Sequence, residues 1–131
     1  MISESIQRFV WVCLAGAAGS GARYLVGLWS GERFGTTFPY GTLIVNVAGC
    51  FLIAFVFELA ANRPSFPPNL RLALATGFIG GLTTYSSFNN ETMKLGREGQ
   101  FSVALLYFGA TTLACLAAGF LGLSLGRRIT P

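Results

Sequence analysis

The sequence contains no histidine and no aspartate, and its only acidic residues are five glutamates among 131 residues. Metal centres and general acid–base catalysis draw mostly on histidine and carboxylate side chains, so this composition excludes most of that chemistry. No pairing of a nucleophile with a base is visible either. We therefore predict that the protein is not an enzyme.

Cysteine is also scarce. Cys13, Cys50 and Cys115 are odd in number, have no CxxC spacing, and each lies inside an apolar run. A disulfide framework or a zinc site needs paired or clustered cysteines. We interpret these three as small buried hydrophobic residues.

Charge is the third deficit. Charged residues make up 11% of the chain, against about 25% in soluble domains. Hydrophobic residues make up 53%, and the mean hydropathy is +0.60. The net charge is +4, but no basic run is paired with exposed aromatic residues, so no nucleic-acid partner is expected. The composition predicts an integral membrane protein whose surroundings are the lipid bilayer.

Four apolar segments divide the chain, and each is long enough to cross a bilayer as a helix. They predict one all-α domain over residues 1–131, with transmembrane helices at approximately residues 6–29, 41–61, 70–96 and 101–125. The first segment is not interpreted as a signal peptide, because its apolar run continues past Ala17 and three more segments follow. Turns are predicted at Ser30–Tyr40, Asn62–Asn69 and Arg97–Gln100.

A stretch within the third segment is unlike the rest. Residues 77–90 have the sequence GFIGGLTTYSSFNN. Interior glycines weaken a helix, and serine and threonine offer its backbone competing hydrogen bonds. We predict a break near residues 80–84. It is either a simple kink or a place where carbonyls freed at Gly80–Thr83 bind a hard cation such as Na⁺.

Several polar residues within or near the apolar segments allow two interpretations each. Asn46 either bonds a neighbouring helix or donates to an anion along a pathway. Arg23 either extends to the membrane interface or attracts anions into a water-filled vestibule. Glu58 lies either at the headgroups or acts as a proton-coupling carboxylate. Tyr85 and Phe88, three residues apart, either pack together or turn their positive ring edges toward an anion.

The distribution of basic residues bears on orientation. With the predicted helices, both termini lie on one side, and that side holds five arginines against three or four basic residues on the other. The positive-inside rule needs a clearer excess than this. We therefore hypothesise that the chain inserts both ways and forms an antiparallel homodimer. Small residues in the first and fourth segments are expected to pack that dimer.

Three motifs resemble the Fluc (CrcB) family of fluoride channels. They are GTLIVNVAG at residues 41–49, TGFIGGLTTYSSFNNET at residues 76–92, and Gly-Ala-Arg-Tyr at residues 21–24. The resemblance extends over the whole chain. It implies four helices with a broken third, an antiparallel dual-topology homodimer in the cell membrane, and passive export of fluoride from the cytoplasm.

The resemblance also implies roles for individual residues. Gly80 and Thr83 would give backbone carbonyls to a structural Na⁺, not transported, on the dimer axis. Arg23 would lie at the vestibule. The fluoride path would be lined by Asn46, Tyr85, Phe88, Ser86, Ser87, Thr42, Tyr107 and Thr111.

The sequence departs from the family pattern TTFSTFS at three positions. Tyr85 replaces the first Phe, Ser87 the Thr, and Asn89 the final Ser. Tyrosine keeps a ring edge and adds a hydroxyl that needs a partner. In the fourth segment, Cys115 replaces a small hydroxyl residue, which predicts that one polar contact of the path is missing.

Two other functions compete with the channel. A small proton-coupled multidrug exporter of dual topology needs a carboxylate embedded in the membrane, normally in the first helix, and the first segment has none. A non-transporting assembly subunit would leave the cluster at residues 80–88 without a role. Fluoride efflux from liposomes separates these alternatives from the channel.

Overall fold

The computed structural model describes residues 1–129, and helices dominate it. Within these residues no β-strand occurs. The helices are α1 (Ile2–Phe34), α2 (Tyr40–Asn62), α3 (Pro68–Leu72), a π-helical segment (Ala73–Ile79), α4 (Gly80–Leu82), α5 (Tyr85–Arg97) and α6 (Phe101–Ile129). By length and composition, α1, α2 and α6 are able to cross a membrane. The prediction of an all-helical fold with several membrane-length helices is confirmed.

The first helix is longer than the predicted 6–29, because it continues through part of the predicted turn. Gly31 stays helical, and the hydroxyl of Ser30 donates to the carbonyl of Gly27 at 3.0 Å. The helix ends at Phe34, and the next residue, Gly35, has a φ of 79°, which favours glycine. The last helix likewise extends to Ile129, beyond the predicted residue 125.

The third apolar segment consists of two half-helices. Residues 68–82, the first half-helix, run from Pro68 through the π-helical segment to Leu82. Proline suits this first position, where no amide donor is needed. Thr83 and Thr84 are extended, with ψ of 156° and 112°, and α5 forms the second half-helix. Gly80 and Gly81, where the break was predicted to begin, remain helical.

The first half-helix packs backbone to backbone against α1. A Cβ built on Gly19 would lie 2.0 Å from the carbonyl oxygen of Phe78, and one on Gly81 would lie 2.4 Å from that of Gly16. Only glycine permits so close an approach. Gly77 and Gly81 therefore serve helix packing against α1.

Helices α2 and α6 meet in the same way. A Cβ on Gly122 would lie 2.2 Å from the carbonyl oxygen of Phe51. The expectation that the small residues of the first and fourth segments pack a dimer is therefore wrong for Gly19 and Gly122, which pack within the chain. Gly21 and Gly109 have no neighbour within 4 Å of a built Cβ.

Three contacts join the elements at one end of the bundle. Arg8 Nε lies 3.3 Å from Asn69 Oδ1, and an Arg63 nitrogen lies 3.2 Å from the carbonyl oxygen of Ile129. Arg127 Nε pairs with Glu58 Oε1 at 3.3 Å. The start of α1 and the end of α6 therefore share this end, and Glu58 is an ion-paired residue near the end of α2.

Candidate functional site

Asn46 bridges α2 to the break in the third segment. Its Nδ2 donates to the carbonyl oxygen of Thr84 at 3.0 Å, and its Oδ1 accepts from the Thr84 amide at 2.8 Å. The side chain is buried, with 9% of its surface exposed. A side-chain amide carries the same donor and acceptor as a peptide group, so Asn46 satisfies both polar groups that the broken helix leaves open at Thr84.

Thr84 also starts the second half-helix. Its Oγ1 accepts from the amide of Ser87 at 3.1 Å, which makes it the N-cap of α5. The same Oγ1 lies 3.1 Å from the hydroxyl oxygen of Ser87 and 3.2 Å from that of Ser86. Three hydroxyl groups therefore gather at the start of α5.

The break also changes the hydrogen bonding of the residues before it. In a continuous helix the amide of Thr84 would donate to the carbonyl of Gly80, but here it donates to Asn46. Thr83 is extended, and its amide and hydroxyl both donate to the carbonyl of Ile79. The carbonyl of Gly80 is thereby released from its usual helical partner.

A cavity of about 480 Å³ opens beside the break. None of the described residues that line it carries a charge. Its lining combines polar groups with apolar side chains of α2, the first half-helix and α6, and it includes Asn46, Gly80, Thr83, Thr84, Tyr85, Phe88, Thr111 and Cys115. It brings together six of the residues that the sequence marked: Asn46, Gly80, Thr83, Tyr85, Phe88 and Thr111.

Two aromatic rings border this cavity at different depths. Phe88 is 5% exposed, whereas Tyr85 is 76% exposed. Their ring centroids are 5.7 Å apart with planes at 65°, an edge-to-face contact. Phe88 also meets Tyr107 edge to face at 5.2 Å. The two rings pack together, and both residues also line the cavity; contact of their edges with an anion stays a prediction.

The hydroxyl of Thr111 has no partner. Within residues 1–129, its Oγ1 is the one fully buried side-chain polar atom that lacks a hydrogen bond. The residue is 4% exposed and lines the cavity from α6. Because an unsatisfied buried hydroxyl is costly, this group is suited to a ligand entering the cavity.

Sequence reasoning missed Glu91. Its Oε1 accepts from the Thr42 hydroxyl at 2.8 Å, and its Oε2 accepts from the Tyr107 hydroxyl at 2.6 Å. Thr42 and Tyr107, both predicted to line the fluoride path, thus donate hydrogen bonds to the partly buried carboxylate of Glu91. One signal was present: Glu91 follows the buried Phe88 by three residues, and so lies on the same face of α5.

Arg23 lines a second cavity, of about 340 Å³. Its other walls include Ser20, Thr42, Thr84 and Ser87. The ion pairs found among residues 1–129 do not include Arg23. Thr84 borders both this cavity and the larger one. The cavity lined by Arg23 and the neutral cavity therefore share a wall residue at the break.

Two predicted path residues lie apart from both cavities. Tyr107 is 0% exposed and is enclosed by Phe38, Phe88 and Glu91. Ser86 is exposed, and its hydroxyl contacts Thr84. Neither is among the residues that line the two cavities.

Comparison with known proteins identifies the same family that the sequence motifs resemble. A family model described as CrcB-like protein, Camphor Resistance (CrcB), matches residues 10–123. These residues include the break and every residue named above as lining either cavity.

Individual relatives match nearly end to end. A protein of Sorangium cellulosum named fluoride-specific ion channel FluC is 48% identical over 124 residues, which cover 95% of this chain and 98% of the relative. Proteins of the same name from Anaeromyxobacter dehalogenans and Acidobacterium capsulatum are 51% identical over 115 residues and 46% identical over 123 residues. These alignments cover 88% and 94% of this chain, and 91% and 98% of the relatives.

Proposed function

The chain belongs to the CrcB-like family, and from that membership we propose that it is a fluoride channel. It is a multi-pass membrane protein, with three apolar helices of membrane length. The relatives that match it almost end to end are named fluoride-specific ion channels. The chemistry of the cavity beside the break supports the same function.

The observation that carries the proposal is a neutral cavity with polar groups at its wall. Asn46, Thr111 and Phe88 all line it, and the buried Thr111 hydroxyl has no hydrogen-bond partner among the described residues. Fluoride is strongly hydrated, so a pore must replace its water with hydrogen-bond donors and positive ring edges. A neutral wall can do so without holding the ion too tightly, which conduction requires.

We propose that fluoride passes from the Arg23 cavity to the neutral cavity across the start of α5. Arg23 attracts the anion, and the hydroxyls of Thr42, Thr84 and Ser87 line the same space. Thr84 borders both cavities. Ser86 and Tyr107 act indirectly in this path, by contacting Thr84 and by holding Glu91.

The active unit is proposed to be an antiparallel homodimer in which each chain spans the membrane four times. Tyr85 supports this assembly, because it is 76% exposed although it is the first residue of α5, directly after the break in an apolar segment. A phenol hydroxyl in lipid would lack a partner, and a second copy would cover it. The weak bias of basic residues between the two ends is consistent with insertion in both orientations.

A structural Na⁺ on the dimer axis fits the residues at the break. Gly80 and Thr83 both line the neutral cavity, and the Gly80 carbonyl is relieved of its usual helical partner because Asn46 binds the Thr84 amide. Carbonyl oxygens are the ligands that hard cations prefer. The ion would supply fixed positive charge that joins the two chains, and the chain's own part is to present these carbonyls.

Transport is proposed to be passive, so fluoride leaves the cytoplasm down its gradient and toxicity falls. The test is fluoride-electrode efflux from liposomes that contain the purified protein, with no pH gradient. We expect rapid efflux of fluoride and far slower efflux of chloride. Absence of fluoride efflux from vesicles shown to contain correctly folded protein would overturn the proposal.

The alternative of a proton-coupled exporter of cationic drugs has less support. Its mechanism needs an embedded carboxylate, normally in the first helix, but Glu4 and Glu32 lie near the two ends of α1. Glu58 is ion-paired with Arg127. Drug efflux that depends on a pH gradient, without fluoride conduction, would favour this alternative.

A further inference from the structure

One end of the bundle carries most of the positive charge. We call it the arginine face, and it consists of Arg8, Arg63, Arg71, Arg127 and Arg128. All five are exposed. They come from α1, from the connection after α2, from α3 and from α6, so separate parts of the sequence contribute to one surface.

Side-chain contacts hold this surface together. Arg8 reaches Asn69, two residues before Arg71. Arg63 donates to the last turn of α6, where Arg127 and Arg128 lie. The arginines are therefore drawn to one level of the bundle by hydrogen bonds between distant segments.

The opposite end has no comparable charge. The end of the bundle with the arginine face contains these five arginines and two acidic residues, Glu4 and Glu58, which gives it a net charge of +3. At the other end, Arg33, Lys94 and Arg97 are balanced by Glu32, Glu91 and Glu98, and Arg23, further inside α1, is the remaining basic residue of the net +4. Because the Glu58 side chain is 17% exposed and bonded to Arg127 and Asn62, its charge is satisfied internally. The positive charge of Arg8 and Arg71 is left without an acidic neighbour in the described ion pairs.

We propose that the arginine face binds the headgroup of an anionic phospholipid, with Arg8 and Arg71 on its phosphate. Guanidinium groups bind phosphate oxygens in pairs, through donors of fixed geometry. The face lies where the apolar lengths of α1, α2 and α6 end, which is the level of lipid phosphates and not of bulk solution. The partner is therefore a membrane lipid and not free phosphate.

The chain's two tryptophans provide a direct test. Trp11 lies one turn from Arg8, and Trp29 lies one turn from Arg33 at the opposite end. They are 48% and 52% exposed, so lipid reaches both. They are separated along α1 by about 27 Å, close to the thickness of the hydrocarbon layer. The variants Trp29→Phe and Trp11→Phe each leave one tryptophan to report on one end.

The experiment measures quenching of each tryptophan by brominated lipids in reconstituted vesicles. For Trp11 we expect brominated phosphatidylglycerol to be preferred over brominated phosphatidylcholine by about fivefold, from the usual attraction of basic residues for anionic lipid. Trp29 is the reference for the opposite end of the same chain. In an antiparallel dimer each Trp11 still lies beside its own arginine face, whereas Trp29 shares a leaflet with the partner's arginine face. The substitutions read at Trp11 therefore carry the test.

Substitutions then locate the contact. Arg8→Gln and Arg71→Gln should each reduce the preference at Trp11, whereas Arg33→Gln at the opposite end should leave it unchanged. Arg71→Gln disturbs no described hydrogen bond, so it remains informative if Arg8→Gln impairs folding. Absence of any preference at Trp11, or a preference at Trp11 unaffected by Arg71→Gln, would overturn the proposal. Loss of the preference when inorganic phosphate is added would also overturn it, since the face would then bind free phosphate.

Discussion

Asn46 holds both backbone polar groups of Thr84, at 2.8 Å and 3.0 Å. This pair of hydrogen bonds connects α2 to the gap between the half-helices. It replaces the helical bonds that are lost at the break, and it places the asparagine amide at the wall of the neutral cavity. The stability of the break and the chemistry of the cavity therefore depend on the same side chain.

Replacing Asn46 with aspartate should sharply reduce fluoride efflux. The carboxylate keeps the acceptor for the Thr84 amide, loses the donor to its carbonyl, and adds a negative charge to a cavity proposed to pass an anion. We expect a decrease of about tenfold or more in efflux from liposomes, because charge repulsion is strong where water is scarce. Asn69→Asp, next to Arg8 and far from the cavity, is the matched control and should conduct normally.

Replacing Thr111 with valine should separate stability from conduction. The substitution removes the buried hydroxyl that lacks a partner, so the protein should become more stable by about 1 kcal/mol. The same change should lower fluoride efflux, since a polar group of the cavity is lost. Thr92→Val is the control: its hydroxyl bonds the carbonyl of Phe88 and lies outside the cavity. A Thr111→Val protein with undiminished efflux would show that this hydroxyl does not face the ion.

Replacing Gly19 with alanine should destabilise the fold. The added Cβ would lie 2.0 Å from the carbonyl oxygen of Phe78, so α1 and the first half-helix must separate. We expect a loss of about 3 kcal/mol, at the upper range for overpacking, measured as a lower thermal midpoint in detergent. Gly21→Ala, two residues away with open space around it, should be neutral or slightly stabilising. Similar midpoints for the two variants would contradict the described packing.

Glu91 and Tyr107 should be energetically coupled. The tyrosine hydroxyl donates to the carboxylate at 2.6 Å, and hydrogen bonds to charged groups contribute about 1.5–3 kcal/mol. A double-mutant cycle with Glu91→Gln and Tyr107→Phe, read by thermal or denaturant unfolding, should give a coupling above about 1 kcal/mol. Additive effects would indicate that the two groups do not bond in the folded protein.

Replacing Cys115 with serine should increase fluoride efflux. Cys115 lines the neutral cavity, and a hydroxyl is a stronger donor than a thiol. We expect an increase of about two- to fivefold, because a single neutral hydrogen bond is worth about 0.5–1 kcal/mol in such a comparison. The control is Cys13→Ser, an exposed position on α1. A decrease in efflux would show that the thiol serves the path better than a hydroxyl.

The sequence predicted the helical membrane fold because long apolar runs separated by proline and glycine leave few other folds available. It predicted a break near residues 80–84, but attributed that break to glycine. In the structure Gly80 and Gly81 are helical, and Gly81 packs closely against α1. The chain opens at Thr83 and Thr84, where Asn46 supplies the replacement partner. The position of the break is a tertiary effect, which local propensity does not contain.

The sequence predicted the part of the candidate site that lies within one local motif, and it missed contacts between residues that are distant in sequence. The motif around Tyr85 and Phe88 identified the residues of the cavity, since the resemblance is local in sequence. Glu91 was missed because its partners, Thr42 and Tyr107, lie 49 and 16 residues away. Its spacing from Phe88 places Glu91 on a shared face of α5, but its hydrogen-bond partners are identified only when the helices are brought together.

The glycine contacts between α1 and the first half-helix also bear on how the chain enters the bilayer. Residues 68–82 form a helix of only about 22 Å, too short to cross a hydrocarbon layer of about 30 Å. The backbone after its last turn is stabilised by Asn46 of α2, and its face packs on Gly16 and Gly19 of α1. We therefore expect this segment to integrate only after α1 and α2 are inserted, because the groups that stabilise it lie on those two helices.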